Sequence, residues 1–274
     1  MTSEPEYVEM DDVLLDAPMQ IEGALTEASN VTLRVQLVID GEASEHRAVY
    51  KPISGERPLH DFPLETLGRR EVAAYLISQW GGFGLIPRTI LREGPLGLGS
   101  VQEWKDVQES TSGLPACGLM NVVRPQDVEP GWLTVLEAED YSGAPLSVVH
   151  RDEPDLASLC VLDIVMNNAD RKAAHIALDA RGVLWAFDHG LIGHDEPKLR
   201  TVLWGWAGEP IPSRDVARLE VLANRLDSGG DTELLELLSR RELVALQTRI
   251  AALLIEPVFP DVPGGRYPLP WPLW

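Results

Sequence analysis

The sequence predicts an α+β fold of two lobes: a small antiparallel β lobe carrying one helix, and a larger, mainly helical lobe. Three observations predict it. Alternating apolar residues with turn signals fill the first third of the chain, a single helix interrupts them, and long helical patterns dominate the second half.

The elements follow in order. Residues 1–18 are acidic, lack apolar periodicity and read as a mobile arm. Val31, Leu33, Val35, Leu37 and Ile39 alternate with polar neighbours, the period of a half-buried strand. Asp40-Gly41 is a turn signal, and His46 to Lys51 reads as the return strand. Ile21 to Leu25 precedes this pair as a further strand. Residues 66–80 form a helix with Val72, Ala73, Leu76, Ile77 and Trp80 on one face, stopped by Gly81-Gly82. Arg88 to Leu91 and Ser100 to Trp104 are strands across a Gly/Pro turn. Residues 105–150 are Pro- and Gly-rich with little periodicity, so the lobes divide near residue 105. Asp152 is placed to cap a helix with Pro154 in its first turn. That helix is apolar on nearly every side, which implies burial, and ends at Asn167-Asn168. Strands Ile176–Leu178 and Val183–Phe187 bracket a turn, and helices follow at about 213–227, capped by Ser213, and at about 232–255. The tail from Pro257 to Trp274 holds six prolines and is irregular, its aromatics packing along the surface. The expected organisation is an arm at 1–18, a small lobe at 19–105, a large lobe at 106–256 and a Pro/Trp-rich tail at 257–274.

Composition narrows the function. The chain has 274 residues, with 43 acids against 23 bases and a net charge of −20. That balance argues against nucleic acid as a partner, because a basic footprint supplies most of such affinity. It disfavours anionic membrane surfaces as well. No run of about 20 apolar residues exists, so no integral membrane association is expected. Residues 1–33 carry eight acids and no Lys or Arg, the reverse of a signal peptide. Two cysteines, Cys117 and Cys160, make neither a disulfide scaffold nor a cysteine zinc site. The expectation is a cytoplasmic protein with free thiols. Of the 23 bases only four are Lys, at positions 51, 105, 172 and 198.

Two clusters carry chemistry. Tyr50-Lys51-Pro52 ends a strand, and Glu71 stands on the helix 20 residues later. A strand Lys paired with a helix Glu is how kinase-like folds hold the α- and β-phosphates of a nucleotide. The second cluster runs from Asn167 to His175, followed by Phe187-Asp188-His189-Gly190, with Asp188 lying 18 residues after Asp170. Phosphoryl transfer needs one carboxylate to take the hydroxyl proton and a second to hold a divalent metal. Each fragment alone is a loop or turn by composition; their order and spacing, with the upstream Lys/Glu pair, make a kinase-like site.

These stretches, with Tyr50 to Pro58, Arg70 to Tyr75 and Val101 to Trp104, carry a resemblance. Over residues 20–256 the sequence resembles the phosphatidylinositol 3-/4-kinase-related proteins of actinobacteria, distant relatives of lipid kinases and HipA-type kinases. The resemblance implies a two-lobed protein-kinase-like fold with ATP between the lobes. Asp170 to His175 matches the family's catalytic loop, and Asp188 to Gly190 its Asp-Phe-Gly motif. By resemblance Lys51 binds phosphates and Glu71 orients it. Gln102, Glu103 and Trp104 form the hinge that meets adenine, and Ser29-Asn30 covers the phosphates. Asp170 and Lys172 are the catalytic pair, Lys172 standing where lipid kinases carry a loop His. Asp188 and His175 hold Mg²⁺ or Mn²⁺. His175 replaces the family's metal-binding Asn, and neutral imidazole suits softer ions than Mg²⁺. Asn167 or Asn168 offers a substitute oxygen. Three outcomes stay open: a kinase acting on a hydroxyl of a soluble small molecule or protein, AMP transfer from the same site, or a nucleotide-binding pseudokinase working through protein partners.

Other motifs weigh less. Residues 93–99 resemble a phosphate loop in composition only, and a hairpin turn fits better because no helix opens after them. His150, His189 and His194 lack tight ligand spacing and read as surface histidines. Cys160 reads as core. Trp204-Gly205-Trp206 is either a substrate platform or core packing.

Overall fold

A computed structural model describes residues 10–25, 30–108, 118–264 and 267–274. The first helix, α1 (Met10–Asp16), corrects the reading of residues 1–18 as a mobile arm throughout. Val13 and Leu14 are buried against Leu33, Val35 and Leu37. Arg92 donates to the carbonyls of Leu15 and Ala17 at 3.1 and 2.6 Å, satisfying the open end of the helix. A half-apolar sheet needs that face covered, and Val13 and Leu14 supply part of the cover.

The small lobe is a five-stranded antiparallel sheet of β1 (Met19–Ala24), β2 (Leu33–Ile39), β3 (Glu42–Pro52), β4 (Thr89–Gly94) and β5 (Gly97–Glu103), in the order β1-β2-β3-β5-β4. Asp40 and Gly41 both have positive φ, 53° and 81°, as the two-residue turn between β2 and β3 requires. The β4–β5 hairpin carries the glycine-rich stretch. A Cβ at Gly94 would lie 2.7 Å from the Tyr50 ring, and one at Gly99 2.5 Å from the Lys51 carbonyl. Those glycines exist because β3 passes underneath, with Tyr50 Oη donating to the Gly97 carbonyl at 2.6 Å.

Helix α2 (Leu67–Trp80) belongs to both lobes. Ala73, Ala74 and Ile77 enter the large-lobe core. Arg70, almost fully buried, donates to the Ile192 carbonyl and to Glu242, both at 2.6 Å.

Residues 105–150 are more regular than the sequence pattern suggests. Strands β6 (Met120–Val123), β7 (Trp132–Glu139) and β8 (Pro145–Arg151) form an antiparallel sheet in the order β6-β8-β7. A bulge between Thr134 and Leu136 breaks the alternation of β7, which hides the strand from a period-two search.

The core of the large lobe is α3 (Pro154–Met166), buried on all sides from Leu156 onward. At about 1.5–3 kcal/mol for each large apolar side chain taken from water, this helix is a substantial source of large-lobe stability. Its N-cap position is Glu153, not Asp152; Asp152 accepts instead from the Trp206 indole at 2.9 Å. Hairpin β9 (Ile176–Leu178) and β10 (Leu184–Ala186) follows. Helix α4 spans Ser213–Arg225, so Ser213 is its first helical residue and makes no cap. The helix expected at 232–255 is broken: α5 (Asp231–Leu234) and α6 (Arg240–Ile255) are separated by a turn. Ser239 caps α6 in a reciprocal box with Glu242. Cys160 is a buried free thiol, and Cys117 lies outside the described residues. No helix among the described residues is long and apolar enough to cross a membrane.

Candidate functional site

Three elements meet at the cleft. Strand β3 brings Lys51 and helix α2 brings Glu71. The turn after β10 brings Asp188. Lys51 Nζ lies 2.5 Å from Glu71 Oε1 and 2.9 Å from Asp188 Oδ1. Glu71 Oε2 accepts the His189 amide at 2.9 Å, so one carboxylate orients both the lysine and the Asp188–Gly190 turn. Asp188 adopts φ +55°, the left-handed region that Asp tolerates better than most side chains. Its side chain is 52% exposed.

The electrostatics follow from these distances. Burial alone would lower the Lys51 pKa, but Asp188 and Glu71 together more than offset it and hold it above the ordinary lysine range. Lys51 holds the Asp188 carboxyl well below the usual carboxylate range. Burial pushes Glu71 up, against the pull of Lys51. The site therefore carries one fixed cation between two acids.

His175 approaches the other oxygen of Asp188, with Nε2 3.4 Å from Oδ2. Burial pushes its pKa down to about 4, so the ring is neutral near pH 7. Its Nδ1 faces the Lys172 amide at 3.5 Å. Asp170 sits in the loop before it, with Lys172 Nζ 3.0 Å from its Oδ2. Burial raises the Asp170 pKa, opposed by Lys172.

This loop is held by residues that the motifs alone do not single out. Asp163, fully buried on α3, accepts from Arg171 Nε at 3.1 Å and Nη2 at 3.0 Å, from Asn168 Nδ2 at 2.9 Å and from Thr201 Oγ1 at 3.2 Å. Arg171, also fully buried, donates onward to the Phe187 carbonyl at 3.0 Å and lies 2.7 Å from His189 Nε2. A carboxylate, Asp163, in the middle of the apolar run Leu159–Met166 is the signal in the sequence that points to them.

Several expected residues are engaged elsewhere. Asn167 donates to the carbonyls of His194 and Glu196 and accepts from the Lys198 amide, and Asn168 is tied to Asp163 and the Asp170 amide. Neither amide is free to replace the missing metal ligand. The Glu103 and Trp104 amides, expected to meet adenine, donate to the Arg88 and Arg47 carbonyls at 2.8 and 3.0 Å, and Gln102 Nε2 donates to Thr89 Oγ1 at 2.8 Å. Asn30 Oδ1 accepts the Arg57 amide at 2.8 Å, and Ser29 lies outside the described residues. His150 and His189 are fully buried, not surface histidines. Trp204 and Trp206 are buried too; Trp206 packs on His150 with ring centroids 4.3 Å apart, so the core reading of these aromatics holds.

Among the described residues, no group of three His, Cys, Asp or Glu is placed to hold a metal ion unaided. Asp188 and His175 instead offer one carboxylate and one imidazole, a donor pair that fits an ion arriving with nucleotide phosphates.

No family model matches the sequence. Over 265 residues the chain is 42% identical to Protein Rv2133c of Mycobacterium tuberculosis, covering 95% of this chain and 94% of that protein. The chain belongs to the Rv2133c family. Its fold is similar to the crystal structure of a Helicobacter pylori proinflammatory kinase, CtkA, with a TM-score of 0.50 over 88% of this chain and 93% of that one. At 11% identity that likeness concerns the fold, which for this Rv2133c-family chain is two-lobed and kinase-like.

Proposed function

We propose that this chain is an ATP-dependent phosphotransferase of the phosphatidylinositol 3-/4-kinase-like superfamily, working in the cytoplasm on a hydroxyl of a soluble small molecule or protein. The single observation behind this reading is Lys51 shared between Glu71 and Asp188 across the cleft. That arrangement is the one that positions nucleotide phosphates in kinases.

The roles follow. Lys51 neutralises phosphate charge, and Glu71 fixes its direction. Asp188 and His175 would hold Mg²⁺ or Mn²⁺, which when bound neutralises charge on the phosphate oxygens. Asp170 accepts the proton of the acceptor hydroxyl; its raised pKa makes it a better base than an ordinary surface carboxylate. The acceptor oxygen bonds to the γ-phosphorus, the bond from that phosphorus to the bridging oxygen breaks, and ADP leaves. A net charge of −20 opposes docking to an anionic bilayer, which favours a soluble acceptor over a lipid one.

His175 supports a second reading, a pseudokinase that binds nucleotide and acts through protein partners. AMP transfer is a third outcome of the same test. The test is a thermal-shift titration with ATP in EDTA, Mg²⁺ and Mn²⁺, followed by turnover with α- and γ-labelled ATP. A metal-dependent rise in Tm with γ-label transfer supports the kinase. Binding without turnover selects the pseudokinase, and α-label transfer selects AMP transfer. No shift up to millimolar ATP overturns the nucleotide site.

A further inference from the structure

The tail beyond Pro257 has no role in the reading above, yet it grips the catalytic loop. The Leu273 carbonyl accepts the Ala173 amide at 2.9 Å. Ala173 is fully buried and opens the short turn Ala173–His175 that directly follows Lys172. The Pro268 carbonyl accepts two donors, the Thr201 amide at 3.1 Å and the Trp204 indole at 2.9 Å. Thr201 in turn pairs with Arg171 along the backbone and donates its hydroxyl to Asp163. The tail thus holds residues 170–175 directly at Ala173 and indirectly through Thr201 beside Arg171. Packing anchors it: Pro270 is buried, and Leu273 and Trp274 lie against the large-lobe core.

The loop needs this support. Residues 170–175 belong to no strand and no α-helix. A buried N–H that loses its acceptor is expensive, so the turn at Ala173 would rearrange if Leu273 moved away. Rearrangement there displaces Lys172 and His175 together.

We propose that residues 267–274 are a positioning strap for the catalytic loop. Docked, the strap keeps Lys172 against Asp170 and His175 against Asp188, and so sets how tightly the site takes up a metal with its nucleotide. This rests on the phosphotransfer reading. The strap touches no reacting atom; it acts through the Ala173 turn.

The test uses the full chain with Leu273→Asp, which undocks the end of the strap, and Leu273→Met as the conservative control. Trp204→Phe removes the indole donor to Pro268 while keeping the ring, and serves if Leu273→Asp does not fold. Two readouts are taken: hydrogen exchange at the Ala173 amide, and Mn²⁺ saturation of binding to a non-hydrolysable ATP analogue. In the undocked variant Ala173 exchange should accelerate, while α3 stays protected. The Mn²⁺ concentration for half-saturation should rise by about tenfold, the usual cost of loosening a ligand's support. Metal-free analogue binding should stay unchanged, and Leu273→Met should behave as wild type. An Ala173 amide that stays protected, or one that is exposed with an unmoved Mn²⁺ curve, overturns the strap. A wild-type chain with no metal-dependent binding overturns the phosphotransfer reading instead, and the exchange readout still tests the grip.

Discussion

Replacing Asp163 by Ala should be among the most damaging single changes in the large lobe. The carboxylate is fully buried and accepts from Arg171, Asn168 and Thr201. Its loss leaves the fully buried Arg171 guanidinium without a counter-charge. Removing one partner of a buried pair typically costs about 3–5 kcal/mol. In a chain of this size each kcal/mol lowers Tm by roughly 2–4 °C, so the expected fall is about 10 °C. The double variant Asp163→Leu/Arg171→Met removes both charges at similar volume and should lose less than Asp163→Leu or Arg171→Met alone, which with the unaltered chain complete the cycle. Thermal and urea denaturation of the four proteins measure the cycle. Single-variant losses below about 1 kcal/mol, or losses that simply add, would refute the view that this pair holds the loop at residues 167–175.

Three further outcomes are expected. Asp188→Asn should lower Tm modestly, because Lys51 loses one of its two carboxylate partners and keeps Glu71, and under the proposed phosphotransfer it should lower metal-dependent ATP turnover by roughly 10²–10³-fold; unchanged turnover would remove Asp188 from the site. Burial pushes His150 and His175 down to about 4, so the unfolded chain takes up their protons near pH 6.5 before the folded chain does. Their contribution is therefore complete above pH 6.5 and declines towards pH 4 by up to about 1.4 kcal/mol per pH unit for each ring. NMR signals of the two rings titrating near 6.5 would contradict it. Gly205→Ala places a Cβ 2.5 Å from His150 Nε2 and 2.6 Å from Leu133 Cβ, so it should destabilise by about 1–3 kcal/mol; an unshifted melting curve would show that the packing yields there.

What the sequence discloses depends on how local each signal is. Strands β2 and β3 are legible because the alternation and the Asp40-Gly41 turn are contained in one short stretch. Helix α1 is not, since Val13 and Leu14 acquire meaning only when a sheet lies beneath them. The break before α6 hides behind a leucine-rich run from Leu234 to Leu238, although Ser239 and Glu242 spell its cap. The same division runs through the site. Lys51, Glu71 and Asp188 stand out because their residue types and order have a chemical rationale, and they meet in the fold. The commitments of Asn167 and of the Glu103 and Trp104 amides depend on which distant backbone lies opposite. Nothing in the local sequence encodes that.

Arg70 has a mechanical consequence. Many kinases are switched by swinging the helix that carries the glutamate partner of their lysine. Here, swinging α2 would drag a buried guanidinium away from Ile192 and Glu242 on the opposite lobe. At about 3–5 kcal/mol for such a rupture, roughly one molecule in a thousand would be swung out at any moment. Arg70 is a rivet where such kinases have a lever. The Lys51–Glu71 contact is therefore made in nearly every molecule, and swinging α2 offers little control over it.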